Sequence, residues 1–212
     1  MLKLDHLAII APTLEAGADY IRTQLGVDMQ KGGEHPQMGT HNLLLRLGED
    51  VYLEVIAINP AAPAPRGPRW FGLDELQSVQ SAWEGDRRLR GWIAQTDNID
   101  AALAHRDVLL GRKTLVSRGD RSWYFSLLPD GSLPAGGALP SVIEWRDRTN
   151  PASQMPDCGT VLRSFEIEHP DPDWVSQLYT QLEIVDPPKI RKGEQLRYRA
   201  AIETPLGLRE LY

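Results

Sequence analysis

Apolar and polar positions along the chain alternate with two periods, and the changes from one to the other mark its elements. Leu4–Ile10 (LDHLAII) has the period of a strand: His6, Ala8 and Ile10 share one face, Leu7 and Ile9 the other. Ala11-Pro12 ends it, and Thr13 stands where a helix N-cap belongs. Leu14, Ala18, Ile21 and Leu25 then form one stripe at helical spacing, stopped by Gly26. Three short strands are expected next, around Val27–Gln30, His41–Leu47 and Val51–Ile58. Gly32-Gly33 and Gly48-Glu49-Asp50 supply the turn material between them.

This β-α-β-β-β order returns. Leu89–Thr96 reads as a strand, Asp97 or Asn98 as a cap, and Ile99, Ala102 and Leu103 as a helical stripe. Strands follow at Thr114–Ser117, Ser122–Leu128 and Ser141–Trp145, with a long Gly/Pro loop, Pro129–Pro140, before the last. A third, shorter unit starts at Val161–His169 and caps its helix with Asp171-Pro172. It continues with Val175, Leu178 and Leu182, then strands at Glu183–Val185, Gln195–Glu203 and Leu208–Leu211. Each unit closes on a strand that carries a glutamate: Glu54, Glu144 and Glu210. This is a repeat of architecture more than of residues. The expected class is α+β, with βαβββ units at 1–58, 88–147 and 160–212. Residues 59–87 form a Pro-rich linker (Asn59–Pro68) and an aromatic loop around Trp70-Phe71.

Composition narrows the function classes. Across 212 residues, 42% hydrophobic and 25% charged content is that of an ordinary globular chain. A net charge of −6 leaves no broad basic face for nucleic acid. No secretory pattern and no apolar run of ~18 residues is present. The single cysteine, Cys158, sits in a turn-like Met-Pro-Asp-Cys-Gly and excludes an intrachain disulfide or a Cys-based zinc cluster. The expectation is a cytoplasmic monomer or homodimer whose partner is a small molecule, with no nucleic acid and no membrane.

Candidate chemistry lies in the strands. His6 and Glu54 each stand among apolar neighbours, and a buried carboxylate must find a cation or take up a proton. His41 shares its face with Leu43, Leu45 and Leu47, while His35, between Glu34 and Pro36, reads as a turn residue. Trp70 and Trp92 are candidate walls of a ligand cavity.

The stretches Leu4-Asp5-His6-Leu7-Ala8-Ile9, Gly33-Glu34-His35-Pro36, Gly39-Thr40-His41-Asn42, Tyr52-Leu53-Glu54-Val55 and Pro140-Ser141-Val142-Ile143-Glu144-Trp145 resemble the glyoxalase-like branch of the vicinal oxygen chelate superfamily. The resemblance is clearest over residues 1–146. It implies open, curled mixed sheets around a cavity, with ligands on first and last strands aimed at a divalent metal (Zn, Ni, Mn or Fe). On that pattern His6, Glu54 and Glu144 would hold the metal, and Glu54 and Glu144 would be catalytic. His41, Trp92 and Trp70 would contact substrate, with Trp92 standing where the second unit's first-strand ligand is expected. The resemblance implies a lyase or isomerase of a small oxygenated metabolite. The alternative is a non-catalytic, drug-sequestering protein of the same fold.

Overall fold

In the computed structural model, which describes residues 1–119 and 121–212, the two periods generate the elements they predict. The first unit holds strand β1 (Leu2–Ile10), helix α1 (Leu14–Leu25) and strands β2 (Gln30–His35), β3 (Thr40–Arg46) and β4 (Tyr52–Ile58). A 3₁₀ turn at Trp70–Gly72 and helix α2 (Leu76–Glu84) follow the Pro-rich stretch. The second unit has β5 (Leu89–Gln95), short helices α3 (Ile99–Leu103) and α4 (Asp107–Leu110), β6 (Arg112–Arg118), β7 (Arg121–Leu127) and β8 (Ser141–Trp145). The rest comprises β9 (Val161–His169), α5 (Pro172–Gln181), β10 (Ile184–Val185), β11 (Lys189–Lys192), β12 (Arg197–Thr204) and β13 (Gly207–Leu211). The expected caps form: Thr13 Oγ1 accepts from the Ala16 N–H, Asn98 Oδ1 from Ala101 and Asp171 Oδ1 from Trp174, each at 3.0–3.1 Å.

The first sheet runs β2-β3-β4-β1-β5-β8-β7-β6, with β10 added at the end of β1. Each of the first two units therefore has the same strand order, and β1 and β5 join them as an antiparallel pair. The sheet curls until its outer strands meet, Gly33 of β2 lying against Arg118 of β6. On the outer face Leu7, Ile9, Leu53 and Val55 pack with Ile21 and Leu25 of α1 and with Phe165, Ile167 and Tyr198 of the second sheet. The inner face gathers Ala8, Ile10, Ile56, Ile93, Phe125 and Ile143 around Trp70 and Phe71.

Three expectations change. Gly32-Gly33 lie inside β2 and not in the turn between β2 and β3, because that turn falls at residues 36–39. Helix α2 occupies the expected aromatic loop; it buries only Val79 and Ala82, too few for a legible stripe. The third unit is not a topological copy, since its sheet runs β11-β9-β12-β13 and places its first strand inside. Glu210 accordingly pairs at the surface with Arg199 and Tyr212.

Trp92 does not wall a cavity. It is 1% exposed on the outer face, with its ring edge-on to Phe165 and Tyr179 at 6.1 and 5.6 Å. It anchors the second sheet and α5 on the first. Trp92→Ala should therefore lower the unfolding free energy by about 3–5 kcal/mol, read as a lower urea midpoint with an unchanged slope. A loss below ~1 kcal/mol would contradict this placement.

Candidate functional site

The site begins with an irregularity in β1. Leu2 and Leu4 pack on the outer face with Leu7, Ile9 and Ala11, so the alternation changes phase between residues 4 and 7. The register against β5 shows why: Leu4 pairs with Ala94 and His6 with Ile93, leaving Asp5 as the extra residue of a β-bulge. The bulge sets the Asp5 and His6 side chains next to each other inside the barrel. Asp5 is 0% exposed; its Oδ1 lies 2.6 Å from His6 Nδ1, and its Oδ2 accepts from Trp145 Nε1 and Asn150 Nδ2, both at 2.9 Å.

Asp5 fixes the His6 ring so that Nε2 faces Glu54 Oε2 at 3.5 Å, an ion-pair distance longer than a good hydrogen bond. Tyr52 stacks on the same ring, centroids 4.4 Å apart. The β1–β4 register makes this possible: His6 pairs with Tyr52 and Ala8 with Glu54, so all four share one face. Glu54 Oε1 accepts from Asn42 Nδ2 at 2.6 Å, and Asn42 Oδ1 accepts from Arg118 Nη1 at 3.2 Å. Burial works against a charge on His6. Hydrogen bonding and Coulomb attraction from Asp5 and Glu54 outweigh it and raise the pKa to about 9. Burial likewise opposes charge on Glu54, but His6, His35 and Asn42 hold its carboxyl below the usual value. At neutral pH the pair is imidazolium and carboxylate.

Aromatic side chains complete the cleft, a cavity of about 30 Å³ below a mouth open to solvent. Trp70, Phe71, Trp123, Phe125 and Trp145 line it. Phe71 sits in the left-handed region (φ 60), a strained setting for an aromatic residue that holds its ring 5.8 Å from that of Phe125. His35, expected in a turn, instead ends β2, buried and edge-on to Trp70 and Trp123. Its Nδ1 lies 3.1 Å from Thr40 Oγ1.

Of the residues proposed from sequence, the cleft brings together His6, Glu54 and Trp70. It does not include Glu144, which lies on the other face and accepts a hydrogen bond from the Ile99 N–H at the start of α3 (2.7 Å). His41 is half-exposed and does not line the cleft, because its neighbour Asn42 takes the inward position on β3. The second unit's counterparts of His6 and Glu54 are Ile93 and Ile143. In the first unit Glu54 pairs opposite the residue two beyond His6; Ile143 pairs opposite Gln95, two beyond Ile93. Sequence reasoning passed over Asp5, Asn42 and Arg118; an acid abutting a histidine in an apolar strand was the available signal for Asp5.

Residues 4–183 match the glyoxalase-like domain family, and the chain belongs to that family and so to the vicinal oxygen chelate superfamily. No curated protein matches it. Among solved structures, a hypothetical protein from Staphylococcus aureus is similar over 96% of this chain and 92% of its own, at 14% identity and TM-score 0.67. A methylmalonyl-CoA epimerase variant from Streptomyces coelicolor matches at 16% identity and TM-score 0.41, over 68% of this chain and 95% of its own. A mutant 4-hydroxymandelate synthase from the same organism matches at 16% identity and TM-score 0.47, over 99% of this chain and 62% of its own. The high-scoring likeness establishes the fold.

The divalent metal that the family implies finds a poor donor set. His6 Nε2 and Glu54 converge, but Glu144 faces away and the second unit offers Ile93 and Ile143. Among the described residues no three His, Cys, Asp or Glu side chains are grouped to hold a metal, whereas zinc sites use three or four protein ligands. The residues do not fit a divalent metal.

Burial, reinforced by the nearby charge of Arg118, lowers the His35 pKa to about 4. An unfolded histidine titrates near 6.5, so between these values the unfolded chain binds the extra proton and stability falls as pH drops through this window. The full loss is about 3 kcal/mol. His35→Gln should flatten the slope of unfolding free energy between pH 6.5 and 4; an unaltered slope would refute the assignment.

Proposed function

We propose that the chain is a proton-transfer enzyme of the isomerase or lyase type, acting on a small, largely apolar molecule that carries a carbonyl oxygen. One observation carries this reading: a buried carboxylate and a buried imidazolium hold their working atoms 3.5 Å apart inside an aromatic cleft. Glu54, as the base, takes the proton from the carbon beside the carbonyl. His6, with Nδ1–H fixed on Asp5, donates its Nε2 proton to the oxygen on which negative charge develops. In an α-hydroxy carbonyl compound, protonated Glu54 then delivers its proton to the former carbonyl carbon while His6 takes back the proton of the neighbouring hydroxyl, which completes an isomerisation. Loss of a group from the next carbon completes a lyase reaction. The aromatic walls exclude water and strengthen both electrostatic contacts.

The same walls favour a second reading, sequestration of small aromatic molecules without turnover. Deuterium exchange separates the two. With acetone, dihydroxyacetone and phenylacetone in D₂O, NMR should show protein-dependent exchange beside the carbonyl. In Glu54→Gln or His6→Gln, with native circular dichroism, exchange should fall about 10²–10⁴-fold. The exchange rate at low substrate should decline above pH 9, where His6 loses its proton. Ketones that quench tryptophan fluorescence yet exchange no faster than in buffer would select sequestration.

A further inference from the structure

The cleft holds two donors that proton transfer does not use. Arg118 reaches in from the end of β6 across the seam where the curled sheet brings β6 to β2. Its path depends on Gly33, where a Cβ would lie 2.6 Å from Arg118 Cδ. The neighbouring Gly32 leaves space for Asn42, whose Oδ1 would lie 2.1 Å from a Cβ there. Paired glycines weaken a strand, and here they open its edge to these two polar side chains. Arg118 is half-buried, with its guanidinium carbon 6.0 Å from the Trp123 ring. Among the described residues it forms no ion pair, and its hydrogen bond goes to Asn42 Oδ1. A guanidinium has five N–H donors in a planar fork, so most of its hydrogen-bonding capacity remains for a partner.

The second donor is Trp70. It lines the same cleft, is 3% exposed, and its buried indole N–H meets no acceptor. Buried N–H groups are rarely left so. An oxygen of a bound molecule would satisfy it. The surfaces around these donors are aromatic faces and edges: Trp70, Trp123 and Phe125.

We infer that the cleft binds aromatic carboxylic acids, the carboxylate on the Arg118 fork and the Trp70 N–H, the ring among Trp123, Phe125 and Trp70. A planar carboxylate matches the guanidinium bidentately, which a neutral carbonyl cannot do. The inference rests on the cleft assigned above and narrows its substrate to acids, with Glu54 and His6 left to act at a carbon beyond the carboxylate.

Tryptophan fluorescence titrations at pH 7 with benzoate, phenylacetate and cinnamate, each against its primary amide, test this. At least one acid should saturate with a Kd tenfold or more below that of its amide. Arg118→Gln should abolish the preference, and Arg118→Lys, which keeps the charge but not the fork, should retain part of it. Acids and amides binding alike, none of the three acids binding folded protein, or a preference surviving in Arg118→Gln would each overturn the inference. Glu54→Gln separates the readings: it should keep the preference for acids while losing deuterium exchange. Failure of the preference thus leaves proton transfer standing, and failure of exchange leaves the acid site standing.

Discussion

An imidazolium can be buried in an apolar barrel only where acceptors meet both of its N–H groups, and here that requirement is met from two strands. Asp5 takes Nδ1–H and Glu54 faces Nε2, so the ring keeps its proton although it is 4% exposed. The arrangement needs adjacent residues of one strand on the same side, which regular alternation forbids. The bulge at Asp5 supplies it. Asp5 in turn would be a costly buried charge without the N–H donors of Trp145 and Asn150. The carboxylate therefore joins β8, the segment after it and β1 in one network.

The two halves of the curled sheet contribute unlike surfaces. The first unit brings His6, Glu54, Asn42 and His35; the second brings Ile93, Ile143, Trp123 and Phe125. A fold built from matching strand orders thus carries an asymmetric site, polar on one side and aromatic on the other. Arg118 is the exception, since it starts on the second unit and ends hydrogen-bonded to the first. Closure of the seam between β2 and β6 is what turns two half-sites into one cleft.

Behind the site, the outer face does structural work. Trp92, Phe165 and Tyr179 lock the second sheet onto the first, and the hydroxyls of Tyr179 and Tyr198 donate to the backbone carbonyls of Ala138 and Gly137. Those carbonyls belong to the long Gly/Pro loop ahead of β8, the strand that carries Ile143 and Trp145. The third unit thus holds in place the strand from which Asp5 receives one of its hydrogen bonds.

The sequence by itself determined what local rules control. Thr13, Asn98 and Asp171 cap helices because their side-chain oxygens satisfy the free N–H groups, and periods of two and near four place the strands and stripes. It also singled out His6 and Glu54, since charge among apolar neighbours is conspicuous wherever the chain folds. What it could not contain was which face of a strand buried on both sides looks into the cleft. Trp92 and Ile93, or Ile143 and Glu144, differ by one position, and one position reverses the side. The bulge at Asp5 and the reach of Arg118 past Gly33 come from twist and closure across strands far apart in sequence. Only tertiary structure, by bringing those edges together, decided them.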